Sequence, residues 1–307
     1  MTTLTSVAMC VFNGERYLRS QLDSIQSQTI LPDELVIVDD VSSDRTRELV
    51  EEFISNTTIT VNFVKNDVNL GSTKNFELAI SKCTGNVIFL ADQDDVWKDN
   101  KIEEILSVFE NNPRAGYVFT NADILLPNGT ISSNKLWKYV KFESLFFELF
   151  KSGKGFELLL KRSFVTGATM AFRADLIPKF SPVNKRWVHD YWIAIALSAY
   201  GFDGIPLDMP LMQYRTHTSQ QIGVKTSTLD HTIAKFRSNK HDFLVAEHQK
   251  LHDLFEFLSG SKNMDEKNLG IISDCLDHLK IRKKCLSKNW ILAFFTALPE
   301  LFNGRYT

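Results

Sequence analysis

Short apolar runs alternate with helix-period segments along the first 125 residues. "SVAMCVF" (6–12), "ELVIVDD" (34–40), "ITVNFVK" (59–65), "NVIFLA" (86–91) and "AGYVFTNADIL" (115–125) read as strands. Between them, 15–28, 45–54, 72–83 and 100–111 carry helical patterns, the first with Tyr17, Leu18, Leu22 and Ile25 on one side. Ser43 and Asp44 offer N-caps to the helix at 45–54. Strand, helix, strand repeated with short links predicts an α/β fold: a Rossmann-like, mainly parallel sheet with right-handed crossovers and helices on both faces.

From 126 the pattern loosens. "LPNGTISSNKLW" (126–137) is a turn-rich connection, 142–162 is helical and aromatic, and "TGATMAFRADLI" (166–177) returns to a strand. "VHDYWIAIALSAYG" (188–201) is a strong helix, and Tyr214 ends a further strand. From 228 onward the chain reads as helical with basic residues.

In parallel sheets, ligands bind beyond the carboxyl ends of the strands. Asn13 follows the first strand, Asp39 and Asp40 end the second, and Asp92, Asp94 and Asp95 follow the fourth. Each cluster alone also suits a loop or a helix cap, but all three fall on one edge of the predicted sheet. The stretch "VIFLADQDDVW" (87–97) runs an apolar strand straight into three aspartates. Carboxylates so close repel one another unless a cation joins them. Hard oxygen ligands of this kind suit Mg²⁺ or Mn²⁺, above all when a phosphate supplies further ligands.

Composition narrows the classes. With 307 residues, 44% hydrophobic and 23% charged, the chain has room for one large α/β domain with additions, or for two domains. A net charge of −2 gives no basic character that would point to nucleic acid. Four cysteines without a CxxC pattern suit reduced residues of a cytosolic protein. The start "MTTLTSVAMCVFNGE" shows no secretory signal pattern, and no apolar run approaches the ~18 residues that span a bilayer.

Several stretches together resemble the inverting, nucleotide-sugar-dependent glycosyltransferases of family two: "VFNGERYLRSQLDSIQSQT", "ELVIVDDVSSDRT", "NLGSTKNFELAISKCTGNVIFLADQDDVW", "HDYW" and "YRTHTS". They span about residues 4–223, and the pair "DQDDVW" and "YRTHTS" is similar to bacterial rhamnosyltransferase-like members that build surface polysaccharides. The resemblance implies the GT-A fold with a C-terminal helical extension. It divides the chain into a nucleotide-sugar-binding half (1–125), an acceptor-binding and catalytic-base half (126–227) and the extension (228–307). The implied donor is a UDP- or dTDP-sugar, the acceptor a glycan or lipid-linked saccharide, and the cofactor Mn²⁺ or Mg²⁺.

The resemblance also distributes roles. Asp94, the second acid of the DxD, is the first metal ligand; Asp92 contacts the ribose or helps hold the ion, and His217 is a candidate third ligand. Asp40 matches the carboxylate that accepts the imide N–H of uracil or thymine. Phe12, Asn13, Glu15 and Gln93 line the nucleotide pocket, Lys74 and Asn75 face its diphosphate side, although Lys74 also suits a solvated helix lysine, and Arg215 stabilises the leaving group. An inverting transfer needs one general base, assigned to Asp190 of "HDYW", where most members have Glu-Asp. An aspartate at a helix start also serves as a cap. His189 and Trp192 shape the sugar or acceptor pocket, although an aromatic on a helix equally suits a core.

Two other classes compete. A catalytically inactive sugar-nucleotide- or glycan-binding protein would share the scaffold. A receiver-like signalling module would also use "VDD", but it needs a phosphoacceptor after its third strand, where only Asp67 is available. Near the C-terminus, Arg282, Lys283, Lys284 and Lys288 precede an apolar segment holding Trp290, Phe294 and Phe295. That combination suits a peripheral contact with the inner face of the plasma membrane, and equally a helix docked on protein.

Overall fold

The apolar runs of the first half become β1 (Thr5–Val11), β2 (Glu34–Asp39) and β4 (Val87–Asp92), each buried along nearly its whole length. Continuous burial of this kind follows from covering both faces of a parallel sheet with helices. The covering helices of this half are α1 (Leu18–Gln26), α2 (Thr46–Asn56) and α3 (Ser72–Lys82). The strand β3 (Thr60–Lys65) lies at the edge and alternates between exposed and half-buried positions, as an edge strand should. A computed structural model describes residues 3–217, 240–261 and 264–287 of the chain.

Beyond β4 come β5 (Val96–Trp97), α4 (Lys101–Asn111), β6 (Ala115–Leu125), β7 (Ile131–Lys135), α5 (Leu136–Tyr139), α6 (Ser144–Lys151) and α7 (Gly155–Lys161). They are followed by β8 (Met170–Arg173), α8 (His189–Ala199) and β9 (Asp203–Arg215). One nine-stranded sheet runs in the order β3-β2-β1-β4-β8-β6-β9-β5, with β7 paired to β6. The first four strands are mutually parallel, whereas β8 runs antiparallel to both of its neighbours. In the parallel block, Cys10 of β1 is in register with Asp92 of β4, and Val11 with Asp39 of β2. The three acidic or polar strand ends therefore arrive side by side.

Some local expectations change. Neither Ser43 nor Asp44 is the N-cap of α2: Arg45 holds that position without a side-chain cap bond, Asp44 one place earlier accepts the Thr46 N–H at 3.0 Å, and the Ser43 N–H donates to Asn13 Oδ1 at 2.9 Å. The strand expected over 166–177 shortens to the four residues of β8, because 3-10 turns at Gly167–Thr169 and Ala174–Lys179 flank it and the second contains Pro178. In the connection after β6, Gly129 at φ +83° turns the chain back so that β7 pairs with β6.

The chain divides into two compact units, Met1–Val224 and Lys225–Thr307. The described part of the second contains the helices Lys240–Ser259 and Glu266–Ser287, which pack against each other. No helix among the described residues is long and apolar enough to cross a membrane. The basic and aromatic segment expected to touch a membrane falls mostly in 288–307, outside the described residues.

Candidate active site

A cavity of about 540 Å³ opens at the carboxyl ends of β1, β2 and β4. Its first wall is the loop after β1. Phe12 N–H donates to Gln93 Oε1 at 2.8 Å, and Gln93 Nε2 returns a bond to the Phe12 carbonyl at 3.0 Å. This exchange locks the exit of β1 to the turn after β4. It favours glycine at the next crossing, since a Cβ on Gly14 would stand 2.4 Å from Gln93 Oε1 and displace the amide that holds Phe12. Asn13 adopts the left-handed region at φ 48° and takes the Ser42 hydroxyl as acceptor for its N–H. Glu15 and the start of α2 are cross-linked: Glu15 N–H donates to Asp44, and Arg45 N–H to Glu15, each at 3.0 Å.

Asp40 lines the same cavity but is 4% exposed, and its carboxylate is hydrogen-bonded. Oδ1 accepts from Asn66 Nδ2 at 2.9 Å and Leu70 N–H at 2.7 Å, while Oδ2 accepts Gly71 N–H at 2.9 Å. The carboxylate expected to read a base also organises the 66–71 loop, and its Oδ2, with a single donor, keeps acceptor capacity at the cavity. Asn75 lines the cavity beside it, bonded to Asn66 and to the Val38 carbonyl. Lys74 points elsewhere: it pairs with Glu77 and donates to the Val183 carbonyl at 3.3 Å, and it is not among the lining residues. Asp67 is exposed and outside the cavity, so the receiver arrangement is not formed.

The second wall joins the β4–β5 turn to the end of β9. β5 pairs antiparallel with β9, Val96 opposite Gln213 and Trp97 opposite Met212. This brings His217 Nε2 to 2.6 Å from Asp94 Oδ2. Arg215 fastens the same turn, its N–H donating to Asp95 Oδ1 at 3.0 Å and its Nε to the Asp94 carbonyl at 2.7 Å. Its guanidinium lies 4.7 Å over the Tyr17 ring, and the His217 ring lies 4.9 Å from the same ring. Arg215 thus acts on the turn and on Tyr17, and is not a lining residue.

This end of the cavity is crowded with acids, whose charge the buried Lys101 offsets in part. Burial, with Asp94 and Asp190 adding their charges, pushes the Asp92 carboxyl up to about 7. Burial likewise raises Asp95, with Asp94 contributing next, and Asp95 Oδ2 has no hydrogen-bond partner among the described residues. Oxygen donors with one imidazole suit Mn²⁺, and the oxygens alone suit Mg²⁺. Asp94 and His217 meet as a pair with Asp92 in the same cavity, less tightly than His252, Asp253 and Glu256 of the second unit, whose ligand atoms all lie within 4.8 Å.

The third wall is the start of α8 against the Gly167–Thr169 turn. Asp190 Oδ2 accepts the Gly167 N–H at 2.7 Å, and both residues line the cavity. His189 lines it too, 5% exposed and stacked on Phe76 with ring centroids 4.0 Å apart. Neither of its ring nitrogens has a hydrogen-bond partner among the described residues, and burial lowers its pKa, favouring neutral imidazole. Trp192 differs from expectation. It is 0% exposed, its Nε1 donates to the Phe180 carbonyl at 2.7 Å, and it belongs to the core.

Tyr17, Phe76 and Tyr214 also line the cavity, and Lys101 is buried close by, none of them expected at the site from the sequence. The tyrosines and phenylalanine sit at ordinary amphipathic positions. Lys101 opens a charged helix and looks like a surface residue.

Residues 6–180 match the model of Glycosyl transferase family 2. The dTDP-rhamnosyl transferase RfbG of Shigella flexneri is 26% identical over 226 residues, 71% of this chain and 75% of that protein. The first curated relatives matched are longer, and the chain spans 55–59% of their length. Among solved structures, TarS of S. aureus in complex with UDP-GlcNAc is similar with a TM-score of 0.59 at 15% identity, covering 91% of this chain and 72% of that one. The mannosyltransferase PcManGT of Pyrobaculum calidifontis, in complex with GDP-Man and Mn²⁺, follows at 0.56 and 16%, covering 100% and 76%. These likenesses identify the fold as GT-A.

Proposed function

The chain belongs to glycosyl transferase family 2, and from that premise we propose a metal-dependent inverting hexosyl transfer. The donor is a UDP- or dTDP-sugar, with dTDP-rhamnose the one to test first given the similarity to RfbG. The acceptor is a hydroxyl of a bacterial surface polysaccharide or lipid-linked oligosaccharide. The observation that carries this reading is the meeting of Asp94 and His217 at 2.6 Å in the cavity that also holds Asp190.

Asp94, His217 and Asp92 would hold the divalent cation. Mn²⁺ or Mg²⁺, when bound there, offsets the negative charge of the diphosphate. Phe12, Asn13 and Glu15 form the nucleoside side, Asn75 faces the diphosphate, and Gln93 keeps the Phe12 backbone in place. Arg215 acts at one remove, by holding the turn that presents Asp94. On the acceptor side, the Gly167 amide fixes one oxygen of Asp190, whose carboxylate takes the proton of the incoming hydroxyl. The deprotonated acceptor oxygen, not the carboxylate, bonds to the anomeric carbon as the bond from this carbon to the phosphate oxygen breaks, and the electron pair leaves with the nucleoside diphosphate. Attack opposite the departing group inverts the centre. His189 faces the sugar with one donor and one acceptor.

The deciding experiment offers dTDP-rhamnose and a panel of UDP-sugars, with and without Mn²⁺ or Mg²⁺, and measures released nucleoside diphosphate. Metal-dependent release from at least one donor is expected. Binding without turnover, once a suitable acceptor glycan is supplied, would favour the inactive binding protein on the same scaffold.

A further inference from the structure

A lysine without exposed surface calls for an account, because an ammonium group removed from water is strongly disfavoured unless it is paired and hydrogen-bonded. Lys101, in the first turn of α4, is 0% exposed. Its Nζ lies 3.8 Å from the centre of the Trp97 ring and 3.8 Å from Met212 Sδ. The charges acting on it are those of Asp95 and Asp92. Its hydrogen bond, however, goes the other way: Nζ donates to the Ala168 carbonyl at 2.7 Å.

Ala168 belongs to the Gly167–Thr169 turn, whose Gly167 amide holds Asp190. The turn is itself stiff, since both the N–H and the hydroxyl of Thr169 donate to the Thr166 carbonyl, at 2.9 and 2.7 Å. Lys101 thus rests on the Trp97 ring, two residues past the Asp92–Asp95 turn, on one side and grips the support of Asp190 on the other.

We infer that Lys101 is a positioning residue that ties the Asp92–Asp95 turn to the Gly167–Thr169 turn and thereby sets where the Asp190 carboxylate stands relative to the cation end of the cavity. The inference rests on the roles proposed above for Asp94 and Asp190. A lysine that only neutralised Asp95 would do so without reaching the backbone of another wall. The hydrogen bond to Ala168 is what extends its influence to the base.

The test uses the full chain with two substitutions: Lys101→Met, which keeps the apolar stem, and Lys101→Arg, which keeps charge and donors. Three quantities are read: the thermal shift given by UDP or dTDP with Mn²⁺, amide hydrogen exchange at 166–169, and kcat separately from KM. Lys101→Met should keep the nucleotide-induced shift but exchange about tenfold faster at 166–169. Its kcat should fall about 100-fold with little change in KM, the scale of loss that a small misplacement brings, and Lys101→Arg should recover part of it. Unchanged kcat, a loss carried by KM alone, or unchanged exchange at 166–169 would each overturn the inference.

Should Lys101→Met fail to fold, the wild-type chain decides. Mn²⁺ with UDP or dTDP must then slow exchange at 166–169. Nucleotide binding without that slowing overturns the coupling and leaves the glycosyltransferase reading standing. No binding of either nucleotide overturns both.

Discussion

His217 Nε2 stands 2.6 Å from Asp94 Oδ2 across 123 residues of sequence. The two are brought together by the pairing of β5 with β9 and by Arg215, which fastens the turn through Asp95 and the Asp94 carbonyl. Asp94→Asn and His217→Ala should each weaken Mn²⁺-dependent binding of UDP or dTDP by about 10-fold or more. Calorimetry with and without Mn²⁺ checks this. Full metal dependence in His217→Ala would remove the histidine from the ligand set.

Asp190→Asn retains the size of the side chain and an oxygen for the Gly167 amide, but not the basicity. Nucleotide binding should be unchanged while kcat falls by about 10²–10⁴. Single-turnover kinetics beside calorimetry separates the two effects. A variant that keeps most of its turnover would place the base elsewhere.

Gly14→Ala tests the crossing of the β1 exit with Gln93. The new methyl must displace the Gln93 amide, which lies 2.4 Å from its position and holds both polar groups of Phe12. A loss of about 1–2 kcal/mol in stability is expected. Adding Gln93→Ala should relieve the clash, so denaturant unfolding of the double variant should show clear non-additivity.

The pH dependence of metal stabilisation follows from Asp92, raised from 3.8 to about 7. A carboxyl with a raised folded pKa contributes stability that is complete below its unfolded value and is lost as pH climbs through its folded one. The metal-free protein should therefore lose stability from this group between about pH 4 and pH 7. Lys101, lowered from 10.5 to about 7, acts in the opposite sense: stability rises from about pH 7 towards 10.5. In scanning fluorimetry Mn²⁺ should raise Tm more near pH 8 than near pH 5.5, and Asp92→Asn should flatten the difference. Equal shifts at both pH values would exclude Asp92.

Lys74→Ala should be nearly silent. Its ion pair with Glu77 is half-exposed, so its removal costs about 0.5 kcal/mol or less, and nucleotide affinity should not change. A large loss of affinity would restore the diphosphate role read from the sequence.

The first half of the fold was legible because its strands are continuous apolar runs whose polar ends share one edge. Asp92, Asp94, Asp190 and His217, picked out by type and motif, line one cavity. What escaped was non-local. Asp40 lines the cavity and also holds the amides of Leu70 and Gly71, a second task set by how the 66–71 loop folds back. Trp192 offers the same periodicity whether it faces a sugar or the core, and Phe180 decides the matter. Lys101 reads as solvated in "NKIEE" until Trp97 and Ala168 enclose it. Lys74 did carry a local sign, since Glu77 follows three residues later on the same helix.

β9 matches β6 through three irregular steps before its end delivers Tyr214 and, just past it, His217 to the cavity. Side chains alternate along a strand, so inserting or deleting one residue between Asp203 and Arg215 would trade inward for outward positions at the far end. The hairpin at Asn128–Gly129 has no such constraint and can be lengthened without disturbing the catalytic wall. Chimeric enzymes that exchange the segment from β6 to β9 will therefore succeed or fail on residue arithmetic in one strand, whatever the quality of their loops.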